Sequence, residues 1–237
     1  MHIRHITLHP DRFPATDCYP FNLEIFHRTP GIELSAPVTF FAGENGTGKT
    51  TLLRAICRRC GIYIWGEIPS PSLQRNLHQG QLHRAVEVEW CNGSVPGSYF
   101  GSENFRQFAA IVDEWTADDA GQLQYLGGKS FVTQSHGQSL MSYFNARYRI
   151  KGLYFLDEPE TALSPASQLQ LLQLIHETSR AGHAQFLIAS HSPILLACPE
   201  AQIFNFDRAP IQPIAYEETT HYRIYRDFLD KREAFFT

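Results

Sequence analysis

The sequence predicts an α/β domain with a largely parallel sheet, and three observations carry that prediction. Short apolar runs alternate with helix-forming stretches in two blocks, residues 1–61 and Gly152 to the end. A glycine-rich segment ending in Gly48-Lys49-Thr50 stands between one such run and a helix, and a further run, Leu153 to Leu156, ends in the acids Asp157 and Glu158. A buried parallel strand reads as such a continuous apolar run, and its carboxyl end opens on a ligand crevice.

In chain order, strand-like stretches lie around Ile3 to Leu8, Asn22 to Phe26 and Val38 to Ala42, and a helix follows from about Gly48 to Arg59 with Gly61 as its stop. The second block contains a strand at Leu153 to Leu156 and a helix from Pro165. That helix is capped by Ser164, has proline at the first helical position and is stopped by Gly182. Further strands are read at Gln185 to Ala189 and Gln202 to Phe206. Residues 62–134 are rich in Gly, Ser, Pro and Gln. Within them Phe105, Phe108, Ala109 and Val112 follow the i, i+3, i+4, i+7 spacing of one helical face. This part is read as a compact inserted lobe, with no heptad run.

The 237 residues suit one large domain, and 43% hydrophobic with 19% charged residues is ordinary globular composition, which excludes disorder and collagen-like repeats. The chain is expected to be cytoplasmic. Its first ten residues lack a signal peptide's apolar core, and no run approaches the roughly 18 to 20 apolar residues of a membrane helix. Five scattered cysteines favour reduced thiols over a disulfide framework. A net charge of −4 supplies no global field for a polyanion, so nucleic-acid binding would need a local patch.

Gly43-Glu44-Asn45-Gly46-Thr47-Gly48-Lys49-Thr50 fits G-x-x-x-x-G-K-[ST] after the strand Val38 to Ala42 and before a helix. The glycines let successive backbone N–H groups curl around phosphate oxygens, and the helix N-terminus adds a favourable dipole. Lys49 is expected to reach the β and γ phosphates and Thr50 to bind Mg²⁺, with Thr51 beside them. Asp157 is expected to hold Mg²⁺. The alternation of side chains along a strand sends Glu158 elsewhere, where it accepts a proton from the attacking water. His191 follows the strand ending at Ser190 and is expected to present its imidazole to the γ-phosphate.

Other features invite blander readings. Cys57 and Cys60 have C-x-x-C spacing without a second pair, on a helix where small thiols pack easily. Arg54, Arg58 and Arg59 form a basic edge suited to a solvated face or, alternatively, to nucleic-acid phosphates.

Together these residues resemble the ABC-type ATPase superfamily, particularly its soluble branch related to chromosome-maintenance and recombination-repair ATPases. They are also similar to small free-standing bacterial ATPases with Asp-Glu-Pro-Glu and Ser-His-Gly-Glu/Gln motifs. Gly43 to Thr50 looks like Walker A, Leu153 to Glu158 like Walker B, Glu160-Thr161-Ala162-Leu163-Ser164 like the D-loop and Ser190-His191-Ser192-Pro193 like the H-loop. The signature loop has its counterpart at Ser135-His136-Gly137-Gln138-Ser139, with Gln134 in place of the usual Leu and His136 in place of the first Gly.

The resemblance implies a P-loop α/β fold with flanking helices, an N-terminal antiparallel β portion and the inserted lobe. In one domain, residues 1–61 would carry the N-terminal strands and Walker A, 62–150 the lobe with the signature, and 151–237 the remaining motifs. It implies ATP and Mg²⁺ as ligands, Lys49, Glu158 and His191 as catalytic groups, and an ATP-dependent homodimer. In that dimer Ser135, Gly137 and Gln138 would contact the nucleotide held by the other subunit. Gln74, Gln79 and Gln81 all remain open for the Q-loop, and Tyr19 and Phe21 for the adenine. ATP hydrolysis serving DNA repair or genome defence, with DNA or a protein as partner, is the leading expectation. The ATP-binding subunit of a membrane transporter and a slow ATP-sensing module are the alternatives.

Overall fold

The computed structural model describes residues 1–65, 78, 80–102 and 136–236. The chain opens with β1 (Ile3–Leu8), passes through the short helix α1 (Glu24–Arg28) and returns as β2 (Gly31–Glu33). β3 (Val38–Ala42) leads into α2 (Lys49–Arg59), and β4 (Val86–Trp90) and β5 (Gly97–Gly101) follow. α3 (His136–Arg147) precedes β6 (Gly152–Asp157), α4 (Pro165–Arg180), β7 (Ala184–Ala189) and the single-turn α5 (Pro193–Leu196). The chain continues through β8 (Gln202–Asn205), β9 (Gln212–Pro213) and α6 (Thr220–Asp230).

The main sheet has the order β5-β6-β7-β3-β8-β9, parallel throughout except that β9 runs antiparallel to β8. A second sheet, β2-β1-β4, is antiparallel. The α/β class with a largely parallel sheet and an N-terminal antiparallel portion is therefore borne out. β4 and β5 lie within residues 62–150, and each is a member of one of the two sheets. The amphipathic stretch from Phe105 to Val112 lies outside the described residues.

Period-two alternation assigns each strand residue to a face. Leu153 and Phe155 of β6, Leu187 of β7 and Phe41 of β3 pack with Leu52, Leu53 and Ile56 of α2 and with Ile3, Ile6 and Leu8 of β1. α2 thus lies between the two sheets. On the opposite face Tyr154, Leu156, Phe186, Ile188 and Phe40 pack against Leu140, Tyr143 and Phe144 of α3 and Leu171, Leu174 and Ile175 of α4. Gln185, fully buried on β7, is satisfied by the N-terminal strand. Its side-chain oxygen accepts from the N–H groups of His2 and Ile3, and its amide donates to the Ile3 carbonyl at 2.9 Å.

The helix ends agree with their sequence signals. Ser164 Oγ accepts from Ser167 N at 3.2 Å, Pro165 begins α4, and α2 and α4 stop two residues before Gly61 and Gly182. The strand expected at Asn22 to Phe26 is a correction, because α1 occupies Glu24–Arg28. Consecutive Ile25 and Phe26 are both buried, which a one-faced strand cannot arrange. The i, i+4 links Arg28 to Glu24 at 3.0 Å and Thr29 Oγ1 to the Ile25 carbonyl at 2.6 Å exist only on a helical turn. Among the described residues no helix is long and apolar enough to cross a membrane.

Candidate functional site

The loop from Gly43 to Gly48 leaves the carboxyl end of β3 and delivers the chain to α2. Gly48 has φ 102°, and a Cβ there would approach Phe26 Cζ to 2.8 Å, so α1 closes one side of the loop. Gly43 has φ 150°, and its Cβ would come within 2.8 Å of Asp207 Oδ1, which accepts from the Glu44 N–H at 2.7 Å. Lys49 curls back into the loop, buried, and its ammonium donates to the Gly43 and Glu44 carbonyls, each at 2.7 Å. Burial holds its pKa below the usual lysine range, against the opposing pull of Glu158, Asp207, Asp157 and Glu44. Thr47 donates its hydroxyl to the Glu44 carbonyl at 2.9 Å, tightening the same turn.

Asp157 ends β6 on the α2 face, where alternation places it in line with Leu153 and Phe155. Its Oδ1 accepts from Thr50 Oγ1 at 2.6 Å, and its Oδ2 accepts from the Tyr99 hydroxyl at 2.6 Å and faces the Arg54 guanidinium at 3.5 Å. Arg54 Nε also donates to the Tyr99 oxygen at 2.9 Å. Burial raises the Asp157 carboxyl, and the bonds from Thr50 and Tyr99, with the charge of Arg54, pull it back. The Tyr99 hydroxyl is pushed well above the tyrosine range by burial and by the Asp157 charge.

Glu158 turns the chain away from the strand in a left-handed conformation, φ 48° and ψ 54°, with its N–H donating to the Ala189 carbonyl at 2.9 Å. A non-glycine residue in that region costs on the order of 1 to 3 kcal/mol, which the surrounding sheet must offset. Its carboxylate Oε1 lies 3.4 Å from His191 Nε2. Burial and the positive charge of Lys49 lower the His191 pKa to about 4, so at neutral pH this is a neutral imidazole beside a carboxylate rather than an ion pair. His191 Nε2 is buried without a hydrogen-bond partner among the described residues, while Nδ1 lies 3.0 Å from His221 Nε2.

The backbone beneath His191 is held by Glu160. Its Oε1 accepts from Ser190 Oγ at 2.9 Å and from the His191 N–H, and burial raises its carboxyl pKa. Ser192 caps α5 by accepting from Ile194 N and Leu195 N and donates to Gln168 Oε1 at 2.6 Å.

The fold therefore brings Lys49, Thr50, Asp157, Glu158 and His191 to one end of three neighbouring strands, β6, β7 and β3. The Thr51 hydroxyl meets that of Tyr19, which is exposed, whereas Phe21 is fully buried and unavailable to an adenine. Gly137, in the first turn of α3, faces α4, where among the described residues a Cβ would meet only Ser167 Oγ at 3.9 Å. Ser135, Gln74 and Gln79 lie outside the described residues, and Gln81 begins a short 3-10 turn at Leu82–Ala85.

The basic edge requires a correction. Arg54 points into the site, and Arg58 donates to the Gly80 carbonyl at 2.6 Å, because α2 lies between the sheets and presents this side inward, whereas Arg59 is exposed as a solvated face requires. Cys57 is core, bonded to the Ile62 carbonyl, and burial pushes the Cys60 thiol up to about 12. Tyr99, Arg54, Asp207 and His221 are site residues that sequence reasoning missed. No motif marks them, and only the sheet order and the C-terminal helix bring them in.

Two family models match parts of the chain. One, described as "AAA domain, putative AbiEii toxin, Type IV TA system", matches residues 140–197, and another, described as an AAA domain, matches residues 21–89. No curated protein sequence matches it. Among solved structures, the SMC head domain from Thermotoga maritima is similar at a TM-score of 0.50 and 15% identity, covering 91% of this chain and 100% of that one. CbiO1 from Clostridium perfringens, described as part of the ABC transporter complex cbiONQ, is similar at a TM-score of 0.50 and 15% identity, covering 98% and 97%. At such identities the likeness is one of fold. Taken with the partial AAA-domain matches and the strand, glycine-rich loop and helix that carry Lys49 and Thr50, it gives the chain the fold of the P-loop ATPases of ABC type, which the SMC heads share.

Proposed function

We propose that the chain binds ATP with Mg²⁺ on the loop between β3 and α2, hydrolyses it with Glu158 as base, and does so in a homodimer that sandwiches two nucleotides. The observation that carries this reading is the convergence of Lys49, the Thr50–Asp157 pair and the Glu158–His191 pair at one end of the sheet. Lys49 exchanges its two loop carbonyls for the β and γ phosphate oxygens. The helix N-terminus, with its unpaired N–H groups, complements their charge.

The donor set suits a hard divalent cation, since Thr50 Oγ1 and Asp157 Oδ1 lie 2.6 Å apart on rigid elements. Bound Mg²⁺ would neutralise charge developing on the β and γ oxygens. Glu158 takes a proton from the water as its oxygen attacks the γ-phosphorus and the bond to the β–γ bridging oxygen breaks, releasing ADP. Neutral His191, whose Nε2 is the orphaned buried nitrogen, donates to the γ-phosphate. Ser135, Gly137 and Gln138 of one copy complete the nucleotide site of the other.

The setting we propose is DNA repair or genome defence, with DNA or a protein as partner. The toxin–antitoxin wording of one matching family and the similarity to an SMC head support it. Since Arg54 and Arg58 are engaged within the chain, any DNA contact would use another surface.

The test is Glu158→Gln. Turnover should fall on the order of 10² to 10⁴, about 3 to 5 kcal/mol of barrier, with ATP binding retained. Light scattering with ATP should show the variant at twice the mass of one 27.0 kDa chain. Turnover at the wild-type rate would remove Glu158 from the chemistry, and a monomer saturated with ATP would remove the sandwich.

A further inference from the structure

On the reading of His191 as the γ-phosphate donor, we propose that His221, in the first turn of α6, is a positioning residue that holds His191 in the tautomer with its proton on Nε2. The C-terminal helix then becomes part of the ATPase site. The two rings meet at 3.0 Å between His191 Nδ1 and His221 Nε2, with their planes at 69°. A bond between two neutral imidazoles requires one nitrogen to donate and the other to accept.

The far side of His191 decides which. Its Nε2 faces Glu158 Oε1 at 3.4 Å. With the proton on Nδ1, a nitrogen lone pair would point at a carboxylate, and the ring could offer nothing to a phosphate oxygen. With the proton on Nε2, His191 is a donor toward that space, and Nδ1 must accept from the Nε2–H of His221. Burial lowers the pKa of both rings, as a neutral pair requires. The charged groups acting on them, Lys49, Glu44 and Asp207, come from the loop and from the end of β8, and Glu158 comes from the end of β6.

His221 is itself held in place. Thr219, buried before it, donates its hydroxyl to the Tyr216 carbonyl at 2.7 Å and caps Tyr222 N. Tyr216 donates its hydroxyl to the Pro193 carbonyl at 2.9 Å, two residues beyond His191. One strut therefore fixes the α6 segment to the segment whose ring it orients. Orienting partners of this kind commonly affect activity by about 10- to 100-fold while touching no substrate.

The experiment combines kinetics with ¹⁵N NMR of histidine-labelled full-length protein, using His191→Gln to assign the His191 signals. In the wild type, Nε2 of His191 should show the protonated shift and Nδ1 the unprotonated one. His221→Ala should mix the two tautomers and lower kcat about tenfold with little change in KM. His221→Gln, whose amide can donate to Nδ1, should recover most of the loss, which separates positioning from general damage to the fold. In a His191→Ala background, His221→Ala should cost nothing more. A wild-type tautomer and kcat in His221→Ala would overturn the proposal, as would full additivity in the double variant. Unchanged turnover in His191→Ala would instead sink the γ-phosphate reading alone, with the NMR result still deciding whether His221 sets the tautomer.

Discussion

The hydroxyl of Thr50 donates to Oδ1 of Asp157 at 2.6 Å, tying the first turn of α2 to the last residue of β6. That bond joins two parts of the proposed nucleotide site that lie 107 residues apart in the chain. On its other oxygen Asp157 is gripped by Tyr99, so a buried carboxylate is oriented before any ligand arrives. Pre-orientation matters because a cation site held by packed elements spends little binding energy on ordering its ligands.

Asp157→Asn should separate metal affinity from stability. The amide keeps the shape and its single oxygen can still accept from Thr50, while its NH2 takes the place of Oδ2 and must donate to the Tyr99 oxygen instead of accepting from it, and the desolvation penalty on a buried charge disappears. The Mg²⁺ concentration for half-maximal turnover should rise about tenfold or more, with the melting temperature unchanged or higher. An Mg²⁺ titration that superimposes on the wild type would take Asp157 out of the metal site.

Tyr99→Phe removes one hydroxyl and leaves Asp157 Oδ2 facing only the guanidinium at 3.5 Å. Arg54 Nε loses its acceptor in the same step. Leaving buried polar groups unpaired costs about 1 to 3 kcal/mol, so denaturant unfolding should shift by that amount. Turnover should fall too, since Asp157 is no longer fixed. An unshifted midpoint would mean that the hydroxyl is not bonded to Asp157 in solution.

His191 predicts a pH dependence of stability with a definite sign. In the folded chain its pKa is lowered to about 4 from an ordinary 6.5, so between those values the unfolded chain binds a proton that the folded chain refuses. Stability therefore falls as pH drops from 6.5 to 4, by no more than about 3 kcal/mol, and this loss is complete below 4. Asp157 and Glu160, whose pKa values are raised, act in the opposite direction within their own range. The informative quantity is the difference between wild type and His191→Gln, which should lose less stability over that interval. Parallel stability curves would mean that His191 is not held neutral.

What was legible in the sequence was whatever local backbone chemistry demands. The loop needs glycines at Gly43 and Gly48 whatever surrounds it, and the Ser164-Pro165 start and the apolar strands follow from capping and from burial in a parallel sheet. α1 was misread because Leu23 and Ile25 alternate with polar neighbours, and only the buried Phe26 and the i, i+4 bonds reveal a helix. Tyr99, 58 residues from Asp157, and His221, 30 residues from His191, depend on strand order and on helix docking, which no spacing in the text encodes. Arg54 looked like a surface charge because helical periodicity does not tell which side of α2 meets the second sheet.

The sandwich itself is tested by mixing two inactive variants. If each nucleotide meets Lys49 of one chain and Ser135 of the other, Lys49→Ala and Ser135→Arg homodimers both lack two working sites, the first for want of the phosphate lysine and the second because a bulky cation blocks the signature contact. A heterodimer of the two concentrates both lesions in one site and leaves the other with wild-type groups. With equal, freely exchanging chains about half the dimers are mixed, so independent sites should restore roughly a quarter of wild-type turnover, and strict coupling between the sites would lower that figure. Exchange is verified with differently tagged chains, and a covalently linked dimer carrying one wild-type site shows whether a single site can hydrolyse ATP. If that linked dimer is active while the exchanged mixture stays as inactive as its parents, Ser135 does not act across the dimer.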